Sequence, residues 1–413
     1  MNDPTNNSRA IRSWLGHGAL AACVLSSLAL AGDKSWLIKA HKIHTAAGDT
    51  IEDGFLQVTD GRITAVAGVS MGGGGDMLEV AAVTPGLIDL SVRIDLGFDS
   101  VEQSTETPAS LDVENGIDLW DPRFERELKS GVTTVVVSPP DRAVIGGWSL
   151  ALKTGGPPTL EKRRVAPRVA LRAAIGDEPS DGNRPAFGQP DSFYNRRPTT
   201  RMGVEWVLRK SFYDALAARK DAALATDETR AFEEVLAGKA PLFIAASTTQ
   251  DIRTACFLQR EFKLPRLIID AAAEAWKDPQ MVVQSGAAVV LPPFSFGGRG
   301  GVDGAFHAWN TAALLHERGL TIALSGHNSI ERGDRLAVQP GLAMHGGLPF
   351  DAALAAVTIN PARMAGIDGR VGSIATGKDA DLVLWDGRPF EPSSRIVGVL
   401  LDGELIVDPR TQK

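Results

Sequence analysis

Seven histidines, at 17, 41, 44, 307, 316, 327 and 345, are the chain's main stock of side chains for metal binding or proton transfer near neutral pH. None lies between His44 and His307. Cys23 and Cys256 are too few for a disulfide framework or a cysteine-based zinc ribbon. His41 and His44 fall in a strand-rich stretch and read as surface or packing residues. His307, His316 and His345 fall in loop or helical contexts and read the same way. His327 differs, because it closely follows the apolar run 320–324, and residues just beyond buried parallel strands line the mouths of α/β barrels. Asp270 ends another such run and reads as a pocket acid or as half of a buried ion pair, with Arg93 as one partner. Asp95 reads as a loop or helix-cap residue. Lys153 follows Gly146-Gly147-Trp148-Ser149-Leu150 and receives no role.

These positions need elements to hold them. Near-continuous apolar runs at 132–138, 169–175, 242–246, 267–269, 288–291 and 320–324 suit strands buried on both faces of a parallel sheet. Amphipathic helical stretches at 204–219, 230–236 and 349–357 fall between or after them. Repeated strand–helix units over this length predict a (β/α)₈ barrel, although a doubly wound open sheet fits the same runs. Both ends of the chain are different. Asp60-Gly61 joins the runs 55–58 and 62–66, and Asp402-Gly403 joins 396–401 and 404–407. Asp-Gly between two strands is a type I′ hairpin signal. Two β-rich ends with matching turns predict one small β-sandwich built from both termini. Met71-Gly72-Gly73-Gly74-Gly75 reads as a loop within it, because no helix start follows to make a phosphate site. The expected division is 1–31 signal peptide, 32–83 first sandwich part, 84–365 barrel and 366–413 second sandwich part.

Composition narrows the class. The net charge is −7, with 44% apolar and 23% charged residues, which is ordinary for a globular protein. A mild acidic excess leaves no electrostatic footprint for nucleic acid. Arg9 and Arg12 precede an apolar run that ends in Ala29-Leu30-Ala31. That order predicts an export signal cleaved after Ala31 and a periplasmic location. Leu20-Ala21-Ala22-Cys23 offers a lipid anchor as the lesser alternative.

Several segments carry a resemblance. Val83-Thr84-Pro85-Gly86-Leu87-Ile88-Asp89 resembles the first barrel strand of the amidohydrolase superfamily. Gly131-Val132-Thr133-Thr134-Val135 is similar to its second strand region, and Thr358-Ile359-Asn360-Pro361-Ala362 to its last helix. The run 371–383, which includes Gly377-Lys378-Asp379-Ala380-Asp381, is similar to the return into the sandwich. Thr200-Arg201-Met202-Gly203-Val204 resembles exported, imidazolonepropionase-like members. The resemblance implies a TIM-like barrel beside a split β-sandwich, with hydrolysis of carbon–nitrogen bonds other than peptide bonds. It also implies zinc or another divalent metal at the barrel mouth, where the ion would acidify a bound water.

The metal positions depart from that pattern. The family's first strand ends in His-x-His, and here those positions hold Ser91 and Arg93. Arginine is a permanent cation with no acceptor, so it repels a divalent ion. The fifth-strand region ends in Ser247 where histidine is usual, and the sixth ends in Asp270-Ala271-Ala272. The last strand reads Ser325-Gly326-His327-Asn328 where Ser-Asp-His-Pro is usual. The expectation is therefore a metal-free pseudoenzyme with pocket residues Ser91, Arg93, Ser247, Asp270 and His327 and no cofactor. It would bind a small anion, pair with itself, or pair with a related active amidohydrolase. The alternative is an active hydrolase with an atypical or metal-free site using Arg93, Asp270 and His327. A third reading is a purely structural envelope protein with a filled mouth.

Overall fold

The computed structural model describes residues 35–68, 76–92, 102, 104–181, 183, 197–294, 299–300, 304–326 and 336–411. The stretch expected to be an export signal, residues 71–75, Arg93, Asp95 and His327 lie outside them.

The N-terminal strands are β1 (Ser35–Ile43), β2 (Ile51–Thr59), β3 (Arg62–Ala67) and β4 (Asp76–Pro85). The barrel opens with β5 (Leu87–Val92), α1 (Pro122–Lys129), β6 (Val132–Val137) and β7 (Ile145–Lys153). After the short α2 (Leu160–Arg163) come β8 (Arg164–Ala174), α3 (Glu178–Asp181), α4 (Arg201–Ala218) and α5 (Asp227–Leu236). Then follow β9 (Leu242–Ala245), α6 (Thr249–Phe262), β10 (Leu267–Asp270), α7 (Pro279–Ser285) and β11 (Ala288–Leu291). A two-stranded ribbon, β12 (Arg299–Gly300) and β13 (Ala305–Phe306), precedes α8 (Thr311–Glu317) and β14 (Ile322–Leu324). Three helices, α9 (Gln339–His345), α10 (Phe350–Ala356) and α11 (Ile359–Ala365), lead to β15 (Leu382–Trp385), β16 (Ile396–Leu401) and β17 (Glu404–Val407).

The two ends of the chain share one seven-stranded sheet, in the order β17-β16-β15-β4-β1-β2-β3. Both Asp-Gly turns have positive φ at both central residues, +50° and +77° at 60–61 and +46° and +72° at 402–403. That is the hairpin geometry expected of them. The turns also meet. Ala380 N–H donates to Gly61 O at 2.9 Å, and Gly403 N–H donates to Ala380 O at 3.1 Å. A Cβ on Gly61 would lie 2.9 Å from Asp402 O, so the approach needs glycine. Ile38, Leu56, Val58 and Leu78 pack with Leu382, Leu384 and Leu400 in one apolar core.

The second sheet has eight strands, β5 to β11 and β14. It curls until β14 comes beside β5, so the barrel is nearly closed. Helices cover its outside. Its departure from strand–helix alternation is β7, which pairs antiparallel with β6 and with β8. Pro139-Pro140 turns the chain there and no helix intervenes between β6 and β7. The reversal places Lys153, the last residue of β7, at the end of the barrel opposite the mouth.

Candidate functional site

Ile88, Leu90, Val136, Ala151, Ala170, Phe243, Ile268 and Val290 fill the barrel interior with one apolar cluster. Two residues beyond Ala170 on β8 stands Arg172, and two beyond Ile268 on β10 stands Asp270, one layer closer to the mouth. Arg172 is 1% exposed. Its Nε and one terminal nitrogen donate to the Asp141 carboxylate at 2.8 and 2.9 Å. Its other terminal nitrogen lies 2.7 Å from Asp270 Oδ2. The guanidinium also sits 4.6 Å from the centroid of the Phe243 ring, a cation–π contact. Ser91 Oγ donates to the same Asp270 oxygen at 2.7 Å. Four polar side chains from β5, the β6–β7 turn, β8 and β10 thus converge in the mouth, all of them buried. Such a network is tolerable there only because its charges are paired.

The seam between β5 and β14 has no backbone ladder among the described residues. Asp89 closes it. Its carboxylate accepts from Ser91 N at 3.1 Å, Ser325 Oγ at 2.9 Å and Gly326 N at 2.8 Å. Burial nevertheless pushes the Asp89 carboxyl up to about 6, against these three donors. A folded-state value above the unfolded one means that the folded chain binds this proton more tightly. Asp89 therefore adds stability below the unfolded carboxyl value, and that contribution is lost as pH rises through 6. Relative to Asp89→Asn, the wild type should gain about 2 kcal/mol between pH 7 and pH 4. Urea unfolding of both proteins at the two pH values measures it, and parallel pH profiles would show that Asp89 does not titrate in this window.

Ser247 stands apart from the network on the rim, where its carbonyl accepts Glu274 N–H at 3.1 Å. Glu274 ties three mouth segments together. It accepts from Thr249 N and Oγ1 at 3.0 and 2.9 Å, from Phe306 N at 3.2 Å, and pairs with Lys277 at 2.7 Å. Burial opposes its charge, but Lys277 and these donors outweigh burial and bring its pKa down to about 2. His307 packs edge-on to Phe294, and burial pulls it down to about 4, so it is neutral at pH 7. His44 lies against Phe350 and is likewise pulled to about 4 by burial. His41 is exposed beside Asp53. His316 and His345 are on α8 and α9.

At the opposite end of the barrel Lys153 enters the composite sheet. Its ammonium meets Asp381, Asp379 at 3.0 Å and Asp402 at 3.1 Å. Burial works against the charge, yet the carboxylates of Asp381, Asp402 and Asp379 raise the lysine above its ordinary range. Arg62 and Arg370 complete the cluster around Asp379. The lysine joins barrel to sheet and is remote from the mouth.

Of the sequence-derived pocket residues, Ser91 and Asp270 come together and Ser247 does not join them. Arg172 and Asp141 escaped that reading. The signal available was a lone arginine in the strand run Val169-Ala170-Leu171-Arg172-Ala173-Ala174, since a charge inside a strand buried on both faces must have a partner. The divalent metal that the resemblance implies does not fit the described donors. Asp270 is shared by a serine and a guanidinium, and a fixed cation stands 2.7 Å from it. Among the described residues no group of three or more His, Cys, Asp or Glu side chains is placed to hold an ion.

Comparison with known proteins agrees with this architecture. The amidohydrolase family profile matches residues 301–407. Amidohydrolase tasK of Hapsidospora irregularis is 24% identical over 361 residues, covering 79% of this chain and 36% of that protein. The urease alpha subunit of Yersinia pestis is 40% identical over 79 residues, 16% of this chain and 14% of that one. The chain thus spans well under half the length of either relative. The solved amidohydrolase of Thermotoga maritima superposes with a TM-score of 0.80 at 26% identity, covering 90% of this chain and 100% of that one. A prolidase solved with N-methylphosphonate-L-proline shares the fold at a TM-score of 0.55 and 17% identity. With its barrel, its two-ended sheet and these relatives, the chain belongs to the amidohydrolase superfamily.

Proposed function

We propose that this chain is a non-catalytic member of the superfamily that acts as a binding or partner subunit. The observation that carries the reading is the Arg172–Asp270 ion pair in the barrel mouth. A metal-dependent hydrolase needs about three protein ligands and an open position for water. Here the described positions offer a serine already bonded to Asp270, a carboxylate already paired, and a buried guanidinium. A guanidinium cannot give up a proton at working pH, so it cannot serve as general acid or base. What it does here is hold its carboxylates in place.

A partner role fits better than capture of a small anion. Among the described residues the buried interior of the mouth carries Asp89, Asp141 and Asp270 against Arg172, and the rim pairs Glu274 with Lys277, which leaves no surplus of positive charge there.

Purified, dialysed protein should contain no stoichiometric transition metal by elemental analysis. It should also hydrolyse neither amides nor lactones when zinc is added. About one zinc per chain, with turnover abolished by a chelator, would falsify the reading.

A further inference from the structure

The outer surface of the barrel carries a strip of large apolar side chains that nothing in the described chain covers. On α4, Met202 is 78% exposed, Trp206 63% and Tyr213 53%; on α6, Phe257 is 42% exposed. The two helices run side by side. Arg201 pairs with Asp251, Arg209 with Glu261, and the Phe212 and Phe262 rings stack at 4.6 Å. Trp206 lies three residues before Arg209, and Phe257 four residues before Glu261. Each therefore sits one turn toward the N-terminus from the same bridging ion pair, on neighbouring helices. Tyr213 continues the strip one turn further and donates to Glu261 at 2.7 Å. Met202 continues it one turn the other way. The 18 residues of α4 give the strip a length of about 27 Å and, with α6, a width of about 20 Å. That footprint is of the order needed for one side of a standard interface. Its composition of Trp, Tyr, Phe, Met and Arg is the one enriched in interface cores.

The charges on the strip indicate what covers it. Glu205, Asp214 and Glu261 stand among Arg209, Lys210, Arg253 and Arg260, three acids with four bases. The whole chain carries −7, so most pairs of its surfaces repel one another, but this strip mixes both signs and does not share the acidic excess. A two-fold axis across antiparallel copies of α4 would set acids of one copy against bases of the other, as a self-complementary interface requires. We propose that the α4–α6 face is the dimer interface of this protein and that its occupant is a second copy of the same chain. The inference names the partner in the reading above and rests on its partner role, but not on the metal question. Metal content and assembly state are separate measurements, so either can fail without the other.

Light scattering after size-exclusion chromatography of the full protein at micromolar concentration tests it. The wild type should run at twice the mass of one chain. Trp206→Glu should run as a monomer with unchanged circular dichroism, its dimer dissociation constant raised at least about 30-fold. Trp206→Ala should weaken the dimer less and guards against a folding defect in the charged variant. Trp120→Glu, at a residue 78% exposed elsewhere on the surface, should leave the dimer intact. A monomeric wild type overturns the proposal, even if a different chain is then found on this face. A well-folded Trp206→Glu that stays dimeric overturns it too, because the contact must then lie elsewhere.

Discussion

Replacing Lys153 by methionine is expected to cost about 3–5 kcal/mol of folding free energy, a large part of what a domain has. The side chain is 1% exposed, and two of the three carboxylates it meets, those of Asp379 and Asp381, are almost as deeply buried. Methionine fills the aliphatic part of the site and removes the charge. Asp379 would keep Arg62 and Arg370, but Asp381 would keep chiefly the Asp402 N–H at 3.0 Å. Most of the loss should therefore reside in Asp381, and Lys153→Met with Asp381→Asn should recover about 1–3 kcal/mol. Lys153→Arg should not rescue, since a planar fork does not fit a pocket shaped around a point charge. Urea unfolding followed by circular dichroism gives all three values. A loss below about 1 kcal/mol in the methionine variant would mean that the cluster adds nothing beyond its packing.

That cluster shows what the sequence could and could not disclose. Each Asp-Gly turn announced itself, because φ > 0 at two successive residues demands that dipeptide locally. The parallel strands announced themselves as apolar runs, because burial on both faces leaves no room for alternation. β7 did not. It is a strand inside a hairpin, and a reading tuned to strand–helix units passes over Ile145–Lys153 even though it supplies Trp148, Leu150 and Leu152 to the core. Lys153 drew attention only as a residue after a family-like segment, since its partners lie more than 220 positions further on. Ser91 and Asp270 were legible at the mouth because each ends or nearly ends a strand. Their meeting at 2.7 Å depends on barrel closure, which local pattern does not encode. Arg172 was hidden for a simpler reason. One charge in an otherwise apolar run barely changes the periodicity of that run, while it decides the electrostatics of the interior.

Arg172→Met is the second change expected to have a large effect, again about 3–5 kcal/mol, because it leaves the Asp141 and Asp270 carboxylates buried without that cation. The sign should reverse when the carboxylates go as well. A triple variant with Asp141→Asn and Asp270→Asn has no buried charge left in this group, and it should recover most of the loss, as neutral replacements of buried ionic groups commonly do. The single variant also tests the idea that the guanidinium stands where a metal would. With the guanidinium gone, two carboxylates and Ser91 face a common space and should accept a divalent cation from solution. Added zinc should then raise the melting temperature of Arg172→Met by mass action and leave the wild type unchanged. Equal responses to zinc in both proteins would mean that the wild type already admits the ion beside Arg172. A variant as stable as the wild type would mean that Asp141 and Asp270 are held by other neighbours. The contrast expected here, metal sensitivity created by removing one arginine, follows from the loss of the guanidinium that both carboxylates share. A barrel that holds these two mouth carboxylates with an internal cation needs no divalent ion to hold them.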